Sequence, residues 1–495
     1  MTAENVYSMC LMLNHKVTMP TQHEHIISLI QDLKFAEAET ELKQAISHTP
    51  LDGQLWVMLG ETLLLQSQGQ AAKRVFDRAW LLDPQAQWIK PIYKALQQVA
   101  QGDNRNDIDE LLTVPKITVA AAILTRNEAT NISKCILALQ GAVDEIIVVD
   151  SSTDDTPRIA SQYPKVKVIR ITWEDDFAAA RNKGLQHVQS DWVVWVDADE
   201  VLVPEDVPSI REVAGVFQHL DIIPALHIWQ VNHVNGIVHH DFSQIRMFPV
   251  RRGIRFHGRV HEQVGTNKGI YHNDIYRRAV KIRLNHHGYE PSILQSRRKL
   301  ERNLRLLKLM IQEEPENPGH WLYYGRESIG VGEQEQAYTA LLEAERLGLL
   351  LPTFGRMSDV YKLLFQIMMV RKNYSEAEAY CLKSIAHNPA FPDAHYMLSQ
   401  VRIKQADELL RLAEASIKQS LTCLPNYRGS VSADYQIAEW KAELTLGELA
   451  MRSGRLSIAK SIFAKHVKHS GGMYNLKDKL ATIEAERQRL NDQSK

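Results

Sequence analysis

Trp192-Val-Val-Trp-Val-Asp197-Ala-Asp199-Glu200 is the stretch on which the fold turns. Its five consecutive apolar residues read as a strand buried on both faces, the pattern of a parallel sheet with helices on either side. The run ends in two carboxylates two residues apart. In a strand such residues point the same way, so Asp197 and Asp199 are expected to converge on one point. Paired hard oxygen donors at the carboxyl end of a buried parallel strand suit Mg²⁺ or Mn²⁺ carried by a diphosphate, because open α/β sheets bind their ligands at those strand ends. The same two letters also occur in ordinary acidic turns, so the pair needs company before it means chemistry.

That company lies upstream. Ile117–Leu124, Glu145–Val149 and Val166–Ile171 read as strands, and Asn131–Leu139, Thr156–Gln162 and Phe177–Val188 as helices between them. Strand and helix alternating at such short intervals specify a doubly wound, mainly parallel α/β sheet. Beyond Asp199 the alternation gives way to mixed segments, His227–Val231 and Gly236–Val238 among them, consistent with an antiparallel extension ending near Tyr289.

On both sides the apolar period becomes helical. From His23 to Gln98, residues such as Ala38, Leu42 and Ala45, then Leu59 and Leu63, fall at helix spacing. Pro50 and Pro84 stand 34 residues apart (84 minus 50), each followed by a tryptophan, Trp56 and Trp88. This is the period of tetratricopeptide helix pairs. Two repeats rarely stand alone, so they are expected to pack on the next domain or on a second chain. From Ser292 the chain is helical again, with Pro389 and Pro425 spaced by 36 residues (425 minus 389). A solenoid of four or five imperfect helix pairs is expected there, with a charged tail from Ala485. The resulting division is a tail over 1–20, tetratricopeptide-like helices over 21–100, a polar linker over 101–114, the α/β domain over 115–290, and a helical domain over 291–495.

Composition excludes several classes. An apolar fraction of 44% with 24% charged residues is that of a globular protein, and a formal net charge of -1 gives no field that would recruit nucleic acid. Cys10, Cys135, Cys381 and Cys423 show neither metal nor disulfide spacing, which fits a reducing compartment. No window approaches the roughly 18 apolar residues of a membrane span, and Met1–Pro20 lacks the layout of a signal peptide. A cytoplasmic protein is expected, with peripheral attachment at the inner face of the cell membrane as the alternative.

Four loops at strand carboxyl ends carry the chemistry: Leu124-Thr125-Arg-Asn127-Glu128, Asp150-Ser-Ser-Thr-Asp154-Asp-Thr156, Asp176-Phe-Ala-Ala-Ala-Arg181-Asn182, and Asp197–Glu200. In this order they resemble the nucleotide-sugar half of a family 2 glycosyltransferase of the GT-A fold, over about Lys116–Tyr289. The resemblance implies Thr125, Asn127 and Glu128 beside the nucleoside and Asp150 accepting from a uracil N–H. It places Arg181 over base and phosphates, Asp197 at ribose and metal, and Asp199 as direct metal ligand. The second loop departs from the family's usual Asp-x-Gly-Ser-Thr-Asp, being one residue shorter and lacking glycine, which puts the base contact in question. Elementary chemistry runs parallel: a divalent cation neutralises a departing diphosphate, and a carboxylate at Asp150 can select a base carrying an N–H donor. A helix-capping turn is the bland reading of Asp150.

Gly258-Arg259-Val-His261-Glu262 resembles a segment of a subgroup that includes sugar transferases of bacterial surface polysaccharide, some fused to helical repeats. Glu262 is the candidate general base for an inverting displacement. His261 and His287, the latter within His286-His287-Gly288-Tyr289, are rival metal ligands, each with a plain structural reading beside it. Of five clustered arginines, Arg246 and Arg259 are expected to face the diphosphate. His239-His240-Asp241 lacks ligand spacing on a helix and reads as surface. The expected function is transfer from a nucleotide-sugar, on balance a UDP-sugar, to a protein, peptide or glycan acceptor. The competing reading is a tetratricopeptide scaffold with a vestigial sugar-nucleotide domain.

Overall fold

The computed structural model describes residues 21–234, 236–286, 293–467 and 475–492. Cys10, His287 and the expected 1–20 tail lie outside them. Two compact units divide the chain, one up to Val331 and one from Gly332.

The first unit is built on β1 (Val119–Thr125), β2 (Glu145–Asp150), β3 (Val166–Arg170) and β4 (Trp192–Asp197). It continues through β5 (Glu200–Leu202), β6 (Ile223–Val234), β7 (Ile237–Asp241), β8 (Ile245–Pro249) and β11 (Ile275–His286), with β9 (Arg255–His257) and β10 (Gln263–Gly265) as a separate hairpin pair. The main sheet runs β3-β2-β1-β4-β8-β6-β11-β5, with β7 paired to β6. β1 is parallel to both β2 and β4, whereas β8 joins β4 antiparallel. The doubly wound half meets the extension at β4, and the extension is mixed, not purely antiparallel as expected, because β11 runs parallel to β6. Trp192 through Val196 are all fully buried, as a strand covered on both faces requires.

Among the described residues, six helices precede the sheet: α1 (Thr21–Gln31), α2 (Phe35–His48), α3 (Gly53–Leu65), α4 (Gly69–Leu82), α5 (Ile89–Leu96) and α6 (Asn106–Leu112). Gly60 lets α3 and α4 close up: a Cβ there would lie 2.7 Å from the Phe76 ring. The last of the six stands inside the stretch expected as a linker, with Ile108 buried and Arg105 bonded to Glu39. These helices share one apolar core with the sheet. Arg278 on β11 donates to the carbonyl of Leu82, an orphaned acceptor at the end of α4, and to that of Leu51 in the turn before α3, and Lys281 lies 4.5 Å over Trp80. The expected face for the N-terminal pairs is therefore found on the sheet.

The remaining helices of this unit are α7 (Ile132–Leu139), α8 (Thr156–Ala160), α9 (Phe177–Leu185), α10 (Val207–Gln218), α11 (Ile293–Glu313) and α12 (Pro318–Val331). The last two group with the sheet although they lie beyond residue 290. Leu306, Leu307 and Met310 of α11 and Tyr323 of α12 bury Val260 between β9 and β10.

The second unit comprises α13 (Gln334–Leu350), α14 (Met357–Val370), α15 (Tyr374–His387), α16 (Pro392–Cys423), α17 (Ala442–Arg452), α18 (Leu456–His466) and α19 (Leu476–Asp492). α14 and α15 pack as an antiparallel pair in the expected manner. The helix pair expected between Pro389 and Pro425 is one 32-residue helix instead. No glycine or further proline interrupts the run after Pro392, so nothing in it stops a helix. The expected tail from Ala485 is likewise helical as far as Asp492.

Candidate active site

Parallel pairing brings the acidic strand ends together. Thr125 is in register with Asp150, and Leu124 with Asp197, so the ends of β1, β2 and β4 form one edge. Strand order reverses about β1, which makes this edge a topological switch point.

β4 stops at Asp197, and Asp199 sits in the turn that follows. Strand parity therefore does not govern the direction of the second carboxylate. Asp197 accepts a guanidinium fork from Arg246, at 2.9 Å to Oδ1 and 2.6 Å to Oδ2, and a further bond from Arg181 at 3.1 Å. Burial alone would push its carboxyl up. Arg246 and then Arg181 outweigh burial and hold it well below the usual carboxylate range. Arg246 is itself buried, and its charge is stabilised mainly by Asp197 and Glu200 against the cost of desolvation. Both oxygens of Asp197 thus accept from arginines, while its side chain stays 37% exposed.

Asp199 is different: its side chain is 41% exposed, and Oδ2 lies 3.1 Å from Nε2 of His286. Nδ1 of the same ring faces Oδ1 of Asn232 at 3.1 Å. Both partners accept, so both ring nitrogens donate to them, and with Nδ1–H held by Asn232 loss of the Nε2 proton would free a lone pair beside Asp199. An imidazole orientated by an acceptor behind it and a carboxylate beside it form a donor set suited to Mn²⁺. Remaining positions would fall to diphosphate oxygens and water. Asp199 and His286 thus fit a divalent cation, although among the described residues no group of three such side chains converges. The hydrogen bond to Asp199 raises the His286 pKa above its ordinary value against the effect of burial.

The signal for His286 lay in strand parity. Val280, Ile282 and Leu284 are buried alternately along β11, and His286 continues that face. His286 was not among the expected ligands, which were His261 and His287. The His261 ring is ion-paired with Glu327 at 2.8 Å and stacked 4.7 Å from Tyr323, and the φ of 52° at His261 redirects the chain at that point. Arg259 is likewise drawn from the diphosphate region, pairing with Glu313 at 2.6 Å.

Glu262 goes the other way. Its Oε1 accepts from Nε of Arg181 at 2.7 Å, so one guanidinium bridges Glu262 and Asp197. Arg181, 7% exposed in its side chain, lies 4.9 Å over Trp195 and 5.5 Å over Phe256, and its Nη1 is buried without a partner. It locks the position of the loop carboxylate. Glu200 backs the arrangement, accepting from the Asp197 N–H at 2.8 Å and from Gln230 at 2.5 Å. Burial pushes its carboxyl up despite the pull of Arg246.

The nucleoside corner is held by loop-to-loop bonds. The Asn127 N–H donates to Ser152 at 2.7 Å and its Oδ1 accepts from the Thr153 N–H at 2.9 Å, with φ of 59° at Asn127. Glu128 donates its N–H to Thr156 and accepts from the Asn131 side chain. Burial, then the nearby acids Asp199, Asp154 and Asp197, push its carboxyl up. Asp150 is fully buried, accepting from Ser152 Oγ at 2.6 Å and from Arg170. The Thr125 hydroxyl is buried there without a hydrogen-bond partner.

An acidic strand-end edge on a doubly wound sheet, with a mixed extension supplying a carboxylate from its loop, defines a GT-A sugar-nucleotide transferase domain. Residues 121–280 match the family model described as glycosyl transferase family 2. The chain carries a family 2 glycosyltransferase domain between helical segments. It is 29% identical over 308 residues to the SPbeta prophage-derived glycosyltransferase SunS of Bacillus subtilis, which covers 62% of this chain and 71% of that protein. It is 27% identical over 267 residues to a TPR repeat-containing protein of Synechococcus elongatus, covering 53% of this chain and 63% of that one. Among solved structures, residues 1–349 of S. aureus TarS in complex with UDP-GlcNAc align with a TM-score of 0.34 and 17% identity, over 58% of this chain and 92% of that chain. Among the described residues no helix is long and apolar enough to cross a membrane.

Proposed function

We propose that the protein transfers a sugar from a UDP-sugar to an acceptor hydroxyl or thiol by a single inverting displacement, with Glu262 as general base. The observation that carries this reading is the Arg181 bridge. It fixes a carboxylate from the loop after β9 at the acidic end of β4, at 2.7 Å and 3.1 Å from its two partners. A base held in place within reach of the acceptor is what an in-line displacement needs, and no protein nucleophile is required.

Asp199 and His286 would hold the cation, which when bound stabilises negative charge on the departing diphosphate. Thr125 and Asn127 line the nucleoside corner, and Asp150 selects uracil if its N–H takes the place of Arg170, whose side chain is 55% exposed and able to swing out. Arg246 keeps Asp197 ionised and in position. A cleft of about 240 Å³ between the β9–β10 hairpin and α11–α12 lies next to the Glu262 segment and is the place for the acceptor in this reading. His261 and Gln263, on either side of Glu262, both line it. A polypeptide or a glycan of the cell surface is the acceptor class in this reading, and the cytoplasm, with contact at the inner membrane face, its place of action.

Hydrolysis of a panel of UDP-sugars in Mn²⁺, with water as acceptor, tests the assignment. Glu262→Gln is expected to lower kcat by roughly 10²–10⁴-fold while UDP affinity holds, and Asp199→Ala to abolish the Mn²⁺ dependence. Unchanged turnover in both variants would refute the site.

A further inference from the structure

Beside the nucleoside corner the loop after β3 carries two aromatic rings, Trp173 and Phe177, packed edge to face at 4.7 Å. A guanidinium lies over each: Arg126 at 5.9 Å from Trp173, and Arg302 at 5.2 Å from Phe177. Arg126 directly follows Thr125 at the end of β1, and Phe177 opens the helix that carries Arg181. Arg302 comes from α11, outside the α/β domain proper. A third arginine, Arg305, takes the nearest carboxylate, Asp175, at 2.9 Å, and the Trp173 indole donates to the same side chain at 3.0 Å.

Arg126 and Arg302 are left without a carboxylate partner among the described residues. The acceptor that Arg302 has is the neutral amide of Asn303 at 3.0 Å. Burial, and then the charge of Arg126, hold the Arg302 pKa below its ordinary value. Two guanidinium groups on aromatic faces repelling one another at the rim of a ligand crevice stabilise an incoming dianion more than they stabilise the empty protein.

We infer that Arg126 and Arg302 form a phosphate subsite for the diphosphate of the nucleotide donor, through which the flanking helix α11 takes part in donor binding. This inference rests on the UDP-sugar reading above. It gives the helical segment after the sheet a task at the donor, in addition to any part in acceptor binding.

Binding of UDP, uridine and inorganic phosphate to the full chain, measured by calorimetry in the presence of a chelator, tests it. Arg302→Gln and, independently, the exposed Arg126→Gln are expected to weaken UDP roughly tenfold each, the order expected for one charge-assisted hydrogen bond, and to leave uridine unchanged. Rising salt should weaken UDP in the wild type more steeply than in either variant. UDP affinity within twofold of wild type in both variants overturns the inference and leaves the donor reading standing. Equal weakening of UDP and uridine also overturns it, since that marks support of the ring pair rather than a phosphate contact. Inorganic phosphate binding as tightly as UDP overturns it in favour of a free-anion site. A wild type that binds no UDP, either in the chelator or with Mn²⁺ in its place, brings down both this inference and the reading beneath it.

Discussion

Asp197 and Asp199 differ by two positions and by everything that surrounds them. Asp197 neutralises two buried arginines, so Asp197→Asn should cost about 2–3 kcal/mol of stability by leaving Arg246 with an uncompensated charge. Urea unfolding at neutral pH measures this, and a variant as stable as wild type would show that Arg246 finds another anion. Asp199 makes no such bond, and Asp199→Ala should leave unfolding within about 0.5 kcal/mol of wild type. His286→Ala should weaken Mn²⁺ binding in the presence of UDP by at least about tenfold, and Asn232→Ala by about tenfold through the freed tautomer. Titration of the Mn²⁺-dependent rise in Tm reads both losses. Equal Mn²⁺ affinity in His286→Ala would remove that residue from the metal set.

At the scale of elements, the decisive joint is between α10 and β11. Asp206, fully buried just before α10, accepts from Lys281 Nζ at 2.6 Å and from Arg283 through the backbone N–H and Nε, each at 2.8 Å. The end of this same strand carries His286. Burial pushes the Asp206 carboxyl up, but Arg283 and Lys281 outweigh it and leave the pKa below its ordinary value. A folded pKa lower than the unfolded one contributes stability that is complete above the unfolded value of about 4 and is lost as pH falls through the folded value. Asp206→Asn should therefore lower stability at pH 7 by about 3 kcal/mol, and the gap to wild type should narrow on acidification to about pH 2. A gap independent of pH would mean that shape, not charge, holds the joint.

The elements themselves were readable wherever one local signal was undisputed. Strand and helix positions from β1 to β4 follow from the apolar runs and differ by no more than three residues at their ends. The solenoid was misread at Pro389–Pro425 because spacing of prolines was taken as a repeat, while the uninterrupted helix-forming run between them argued for one long helix.

For the whole molecule, the structural division falls after Val331. A chain ending at Val331 should keep its UDP-induced rise in Tm. One ending at residue 290 strips the cover from Val260 and removes the partners of Arg259 and His261, and its Tm should fall by on the order of 5–10 °C. Equal melting of the two chains would show that α11 and α12 are dispensable to the sheet.

Sequence alone determined the α/β class, the order of the four strand-end loops and the helical flanks. Each of these rests on local periodicity or on residues adjacent in the chain. Which carboxylate faces a histidine and which faces arginines was decided only by the tertiary structure. Arg246, Arg181, Glu262 and His286 reach Asp197 and Asp199 from separate elements, and the turn after β4 breaks the parity on which the expected convergence relied. Partners brought in across a sheet leave no periodic trace along the chain, since their pairing depends on strand order and register and not on spacing in sequence.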